Sequence, residues 1–215
     1  MHFLVTAGPT REPIDPVRFL SNRSSGKMGY ALAEAALAAG HTVTLVSGPV
    51  ALTAPEGLTF VPVETAQEMY DAVATRIHDA GVAIFCAAVA DYRVASIAEE
   101  KIKKSADELT LRLVQNPDIL GSARSVFGFG GLLVGFAAET NDLARHALDK
   151  LRRKKCDLIV ANDVSRRDIA FDCDFNEVSL FFADGTREDL PFLTKHEIAA
   201  ALIGRIVALA PQERQ

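Results

Sequence analysis

The chain has 215 residues, of which 49% are hydrophobic and 24% charged, with a formal charge of -5. That is enough for one large α/β domain with a substantial core, and the acidic balance gives no bulk attraction for nucleic acid. Its three cysteines, Cys86, Cys156 and Cys173, form no CxxC pair, and the longest apolar run, Val82 to Ala90, is too short for a membrane span, so a soluble, cytoplasmic protein with reduced thiols is expected.

In chain order, Phe3 to Thr6 reads as a buried first strand that opens at Ala7-Gly8-Pro9 into a loop. A helix is expected from about Lys27 to Ala39, stopped by Gly40, and Thr42 to Ser47 follows as a second strand. This strand–helix–strand opening is Rossmann-like. Thr59 to Val63 is then a strand, Ala66 to Ala80 a helix and Val82 to Ala88 a strand buried on both faces. Pro117 to about Val126 is a helix, Leu132 to Phe136 a strand, Asp142 to Lys155 a helix, Leu158 to Ala161 a strand and Lys195 to Leu209 a final helix. The pattern predicts an α/β, Rossmann-like three-layer sandwich around a mostly parallel sheet, a single domain over 1–215.

Two segments interrupt the alternation. Ala98 to Gln115 ends in the alternating Leu109-Thr110-Leu111-Arg112-Leu113, and Val178 to Phe182 meets the turn signal Asp184-Gly185. Together they are expected to form a small antiparallel extension at one end of the sheet, supplying a flap or a dimer contact. The segments concerned are about 98–116 and 170–190.

The loop Ser21-Asn22-Arg23-Ser24-Ser25-Gly26-Lys27-Met28-Gly29 runs into the first helix, where unpaired N–H groups and the helix dipole favour an anion. It is not a Walker A loop, because Ser21 stands where that motif needs glycine and Met28 where it needs Ser or Thr. Nor is it a GxGxxG fingerprint, since Pro9 to Ser21 separates Gly8 from the helix. The plainer alternative is a helix capped by Ser24 or Ser25.

Four further segments stand out, three of them where strands end and one, Lys101 to Lys104, in an exposed stretch. Asp91, in Ala87-Ala88-Val89-Ala90-Asp91-Tyr92, either accepts hydrogen bonds from a base, a ribose or a metal-bound water or caps a turn. Lys101-Ile102-Lys103-Lys104 is either a solvated face or a flap over polyphosphate. Asn116-Pro117-Asp118-Ile119-Leu120 starts a helix and lies at a strand-to-helix junction. Gly135-Phe136-Ala137-Ala138-Glu139-Thr140 precedes a helix on which Lys150 and Lys154, four apart, share a face. His2, His41, His78, His146 and His196 fall in strand starts, helices or helix ends and read as structural, and no Ser/His/Asp triad is suggested.

Together with Thr6 to Arg18 and Ala161-Asn162-Asp163-Val164, these motifs resemble bacterial phosphopantothenoylcysteine synthetase, in the same order over nearly the whole chain. That resemblance implies a ligase of coenzyme A biosynthesis. It would join 4'-phosphopantothenate to L-cysteine with CTP and Mg2+ or another divalent cation, through an acyl-cytidylate. It also implies a homodimer, with the antiparallel extension contributing to the contact. Carried over by position, Asn22 would hold the acyl-cytidylate for the second step and Lys101, on the flap, would assist its formation. Phe85, Cys86, Ala87, Asp91, Pro117, Asp118, Ile119, Leu120, Phe136, Lys150 and Lys154 would form the nucleotide site, with contact at Phe85 and Cys86 mainly through backbone. Ser24, Ser25 and Gly26 would neighbour a phosphate, and the metal ligands are not indicated.

In many bacteria the family's synthetase is the C-terminal half of a bifunctional protein whose other half is a flavin-dependent decarboxylase. Nothing in this chain resembles that half, so no flavin is expected, and the chain is either an excised domain or a stand-alone enzyme. Two other readings of the scaffold stay open: an NAD(P)-dependent oxidoreductase, disfavoured by the missing fingerprint, and a non-catalytic nucleotide-binding regulator.

Overall fold

The computed structural model describes residues 1–104, 108–139, 141–163 and 173–210. Thr140, Val164 and the parts of the two irregular segments at 105–107 and 170–172 therefore lie outside the described residues.

Six parallel strands carry the architecture: β1 (His2–Ala7), β4 (Thr42–Ser47), β5 (Thr59–Pro62), β6 (Val82–Phe85), β9 (Leu132–Glu139) and β10 (Leu158–Asp163). They lie in the order β5-β4-β1-β6-β9-β10, and the sheet continues into β11 (Phe175–Phe182) and β12 (Arg187–Thr194). The order reverses direction between β1 and β6, the topological switch at which open α/β sheets form their ligand crevice. Phe3, Leu4 and Val5 of β1 are completely buried because both faces of the sheet are covered.

Helices α1 (Lys27–Ala38) and α5 (Lys195–Leu209) cover one face. The other is covered by α2 (Ala66–Ala74), α3 (Ile119–Ser125) and α4 (Leu143–Lys154). A β-carbon on Gly29 would stand 2.5 Å from Ala7 Cβ, so glycine is what lets α1 lie directly on β1.

Several boundaries differ from the sequence reading. The helix expected over Ala66 to Ala80 ends at Ala74 and gives way to a 3-10 turn at Ile77–Asp79. Thr75 Oγ1 donates to the carbonyls of Asp71 and Ala72, both at 3.1 Å, and the Arg76 side chain also donates to Ala72, while the Arg76 amide turns to Val73 O at 3.0 Å, so side chains serve the Ala72 carbonyl where the helical ladder ends. Neither Ser24 nor Ser25 is the cap of α1. Gly26 is, at φ 79°, while Ser24 Oγ accepts from the Gly26 amide at 3.3 Å.

The two irregular segments do not join in one extension. β11 and β12 form an antiparallel hairpin on the edge of the main sheet. Among the described residues of the other segment only its end is a strand, β8 (Leu113–Gln115), and it pairs with β7 (Tyr92–Val94) in a separate two-stranded sheet. Residues 109–112 stay outside it, although Ala95 N still donates to Arg112 O at 2.9 Å just beyond the paired positions. The Pro9 to Ser21 insertion also contains a ribbon, β2 (Arg11–Pro13) against β3 (Phe19–Ser21). On the outermost strand, Pro191 sits opposite the register shift between Asn176 and Val178, where a missing N–H breaks no ladder bond.

Candidate active site

The floor of the site is the switch point. Beyond the ends of β1 and β6 the chains stay together: Ala88 N donates to Gly8 O at 2.9 Å and Thr10 N to Ala88 O at 3.3 Å. Two threonines add to this, Thr6 Oγ1 accepting from Ala87 N at 3.3 Å and Thr10 Oγ1 from Ala90 N at 3.0 Å. The segment Ala87 to Ala90 is thereby a fixed ledge. A β-carbon on Gly48 would stand 1.8 Å from Pro9 O, so the chain leaving β4 passes hard against the root of the β2–β3 ribbon.

Over this ledge, on the side of α2, α3 and α4, opens a cleft of about 1350 Å³. It brings together Phe85, Ala87, Asp91, Pro117, Asp118, Ile119, Leu120, Phe136, Lys150 and Lys154 from four separate stretches of sequence. Asn116 builds one wall, donating through Nδ2 to Ala90 O at 2.8 Å and through its backbone amide to Asp91 O at 2.8 Å. Pro117 follows, and Asp118 then caps α3 by accepting from Gly121 N at 2.9 Å.

The opposite wall is the basic face of α4. Lys150 Nζ donates to Phe136 O at 2.6 Å, and Lys154 is ion-paired with Asp118. Burial pushes the Lys150 ammonium below the usual lysine range, partly countered by nearby Cys156 and Glu139. For Asp118, burial acts to raise the carboxyl, but the hydrogen bonds from Lys154 and Gly121 and the charges of Lys154 and Arg153 outweigh it and hold it low.

The remaining sequence-designated residues lie outside the cleft lining. Cys86 alternates with Phe85 and Ala87 and packs toward the α1/α5 layer, where burial pushes its thiol up to about 12. Asn22 stands at the ledge, Nδ2 donating to Ala88 O at 2.9 Å. Ser24, Ser25 and Gly26 belong to the turn entering α1; Gly26 packs beside Gly8 and Val50. Lys101 is exposed, on a segment fastened to the turn of the β2–β3 ribbon.

Sequence reasoning missed part of the lining. His146, read as structural, faces the cleft with Nδ1 3.0 Å from Glu139 Oε2. Asp149, Arg152 and Arg153 also line it. The spacing of His146 to Lys150, four residues on the face already marked by Lys150 and Lys154, was the available signal.

Lys150, Arg152, Arg153 and Lys154 share the cleft with Asp91, Asp118, Glu139 and Asp149, so the lining is mixed rather than a plain cationic pocket. Among the described residues no three His, Cys, Asp or Glu side chains come together to hold a metal ion. The described side chains thus do not fit a metal caged by protein alone.

The profile of one family, described as the DNA/pantothenate metabolism flavoprotein C-terminal domain, matches residues 1–209. The coenzyme A biosynthesis bifunctional protein CoaBC of Vibrio vulnificus (strain CMCP6) is 49% identical over 208 residues, 96% of this chain and 52% of that protein. Its counterpart in Escherichia coli (strain K12) is 49% identical over 210 residues, again 96% of this chain and 52% of that protein. The chain thus spans about half the length of the curated relatives it matches. The crystal structure of the C-terminal domain of a CoaBC protein superposes with a TM-score of 0.83 at 42% identity, covering 97% of this chain and 94% of that one.

Proposed function

The chain belongs to the family of DNA/pantothenate metabolism flavoprotein C-terminal domains, and from that premise we propose that it is a phosphopantothenate–cysteine ligase acting in coenzyme A biosynthesis. In this reading it takes CTP, accompanied by a divalent cation such as Mg2+. The carboxylate of 4'-phosphopantothenate attacks the α-phosphorus, the P–O bond to pyrophosphate breaks, and an acyl-cytidylate forms. The amine of L-cysteine then attacks the acyl carbon, CMP leaves and the amine gives up a proton.

The observation that carries the proposal is the cleft at the switch point, with Lys150 and Lys154 on one face of α4. Both cations start with protein partners, the Phe136 carbonyl and Asp118, so an arriving triphosphate would exchange with them rather than meet a bare charge. Magnesium usually keeps several waters and rides on substrate phosphates, which suits a lining without its own metal cage. The ledge at Ala87 and Ala88 supports Asn22 as the residue that holds the acyl-cytidylate, and Lys101 is assigned to the first step.

The 98–116 segment is read as the flap. A homodimer fits the exposed apolar side chains Val17 and Phe19 on the β2–β3 ribbon and Tyr92 and Leu113 on the β7–β8 pair. Fusion to a flavin-dependent decarboxylase, as the bifunctional relatives suggest, would place flavin chemistry in the other half. No described helix is long and apolar enough to cross a membrane; a cytoplasmic enzyme is proposed.

The test is pyrophosphate release with 4'-phosphopantothenate and cysteine, with CTP and ATP offered separately. Release with CTP is expected. None with either nucleotide would sink the ligase, and equal use of both would sink only the base preference. A nucleotide-binding regulator would bind CTP without releasing pyrophosphate.

A further inference from the structure

Asp15 is a carboxylate whose side chain is 0% exposed, in the turn between β2 and β3, away from the cleft lining. Burying an ion is costly unless its lone pairs are filled, and here five N–H groups fill them. Oδ1 accepts from the amides of Val17 and Arg18, both at 2.9 Å. Oδ2 accepts from Arg18 Nε at 3.0 Å, from Arg18 Nη2, and from the amide of Ile102 at 3.1 Å, 87 residues further on.

The last contact is not needed to fold the turn. Arg18 Nη2 also donates to the carbonyl of the same Ile102 at 2.7 Å, so the Asp15–Arg18 pair grips both main-chain groups of one residue. A second tie, Ala98 N to Ile14 O at 3.0 Å, fixes the segment earlier along the chain. Lys101 is rooted between these two ties, with its exposed side chain left to reach outward. Hydrogen bonds to the ionised form hold the Asp15 carboxyl far below the usual carboxylate range, the Arg18 guanidinium being the largest cause, so the grip persists across the physiological range.

We propose that Asp15 is a positioning residue for the ligase reaction: with Arg18 it clamps Ile102 and so sets the root of Lys101 for the nucleotide-dependent first step. The assignment rests on the ligase reading above. A clamp of this kind acts on orientation, and small misplacements of a catalytic group cost large factors in rate.

The test compares Asp15→Asn with Ile102→Pro, which removes the clamped N–H while leaving the Asp15 turn intact. Both are expected to slow pyrophosphate release by roughly tenfold or more, with the KM for CTP changed by less than about twofold. Combined with Lys101→Gln, Asp15→Asn is expected to add almost nothing; multiplying effects would show that Asp15 does not act through Lys101. Amide hydrogen exchange across 98–104 is expected to accelerate about tenfold or more in Asp15→Asn, and unchanged exchange overturns the clamp itself. If the parent chain releases no pyrophosphate, the ligase reading and the catalytic role of the clamp fall together. The exchange measurement separates that failure from failure of the contact.

Discussion

Asn22 and Ala88 are 66 residues apart in sequence, yet the side-chain amide of the first donates to the main-chain carbonyl of the second at 2.9 Å. The bond ties the loop before α1 to the ledge beyond β6. For Asn22→Asp a carboxylate oxygen would face that carbonyl, repelling it where the amide donates. Acyl-cytidylate formation is expected to continue, while its conversion by cysteine slows on the order of 100-fold. Quench-flow detection of the accumulating intermediate checks this; ordinary product formation would reject the role.

Lys101→Gln keeps much of the length of the side chain and removes its charge. The first step is expected to slow on the order of 100-fold while the second, started from preformed acyl-cytidylate, stays near the parent rate. An unchanged pyrophosphate burst would exclude Lys101 from that step.

Much of the frame was legible in the sequence because buried parallel strands leave near-continuous apolar runs, as in Val82 to Phe85, and amphipathic helices leave a stripe. The cleft was legible wherever chemistry coincided with a strand terminus, as at Asp91 and Asp118. Contacts closed by distant chain segments were not. The β2–β3 and β7–β8 ribbons have three residues per strand, too few to show alternation, and what holds Ile102 to Asp15 is a buried charge rather than a pattern. His146 was overlooked because a lone histidine on a helix reads as structural; its four-residue spacing from Lys150 was the one sign that it shares the face that meets Glu139.

Lys150 gives a pH dependence whose sign is fixed. Burial lowers its pKa in the free protein, and a polyanion needs the charged form. Nucleotide affinity is therefore expected to fall as pH rises through that lowered pKa, earlier than for an ordinary lysine. Calorimetric titration with CTP from neutral to alkaline pH checks it. Lys150→Ala should bind more weakly at neutral pH and lose this part of the pH dependence; a parallel profile would refute the attribution.

Two thiols give the opposite limit. Cys86 and Cys156 are each pushed up to about 12, mainly by burial, from an ordinary value of 9.0. Their folded-state pKa values are raised, so their contribution is full below about pH 9 and is lost as pH rises toward 12. The chain is expected to lose stability over that window more steeply than a Cys86→Ala/Cys156→Ala variant. Denaturant melts at stepped pH decide it: equal slopes would count against burial of the neutral thiols.

Gly48→Ala would force a methyl carbon to within 1.8 Å of Pro9 O, a contact with main chain that no rotamer relieves. A loss of about 3 kcal/mol or more is expected, against about 1 kcal/mol for an average substitution. Gly57→Ala is a useful contrast: at φ +87° it meets nothing within 4 Å, so only backbone strain opposes it. Comparable melting temperatures for the two variants would contradict this account.

Pro191 on the outermost strand bears on how the protein behaves at high concentration. An uncovered sheet edge is a template for a second chain, and open-ended stacking of edges leads to fibres and precipitates. Here Arg187, Glu188 and Asp189 put successive charges along that edge, and Pro191 with the register shift beside it interrupts a regular ladder. The main sheet is thus terminated chemically on this side.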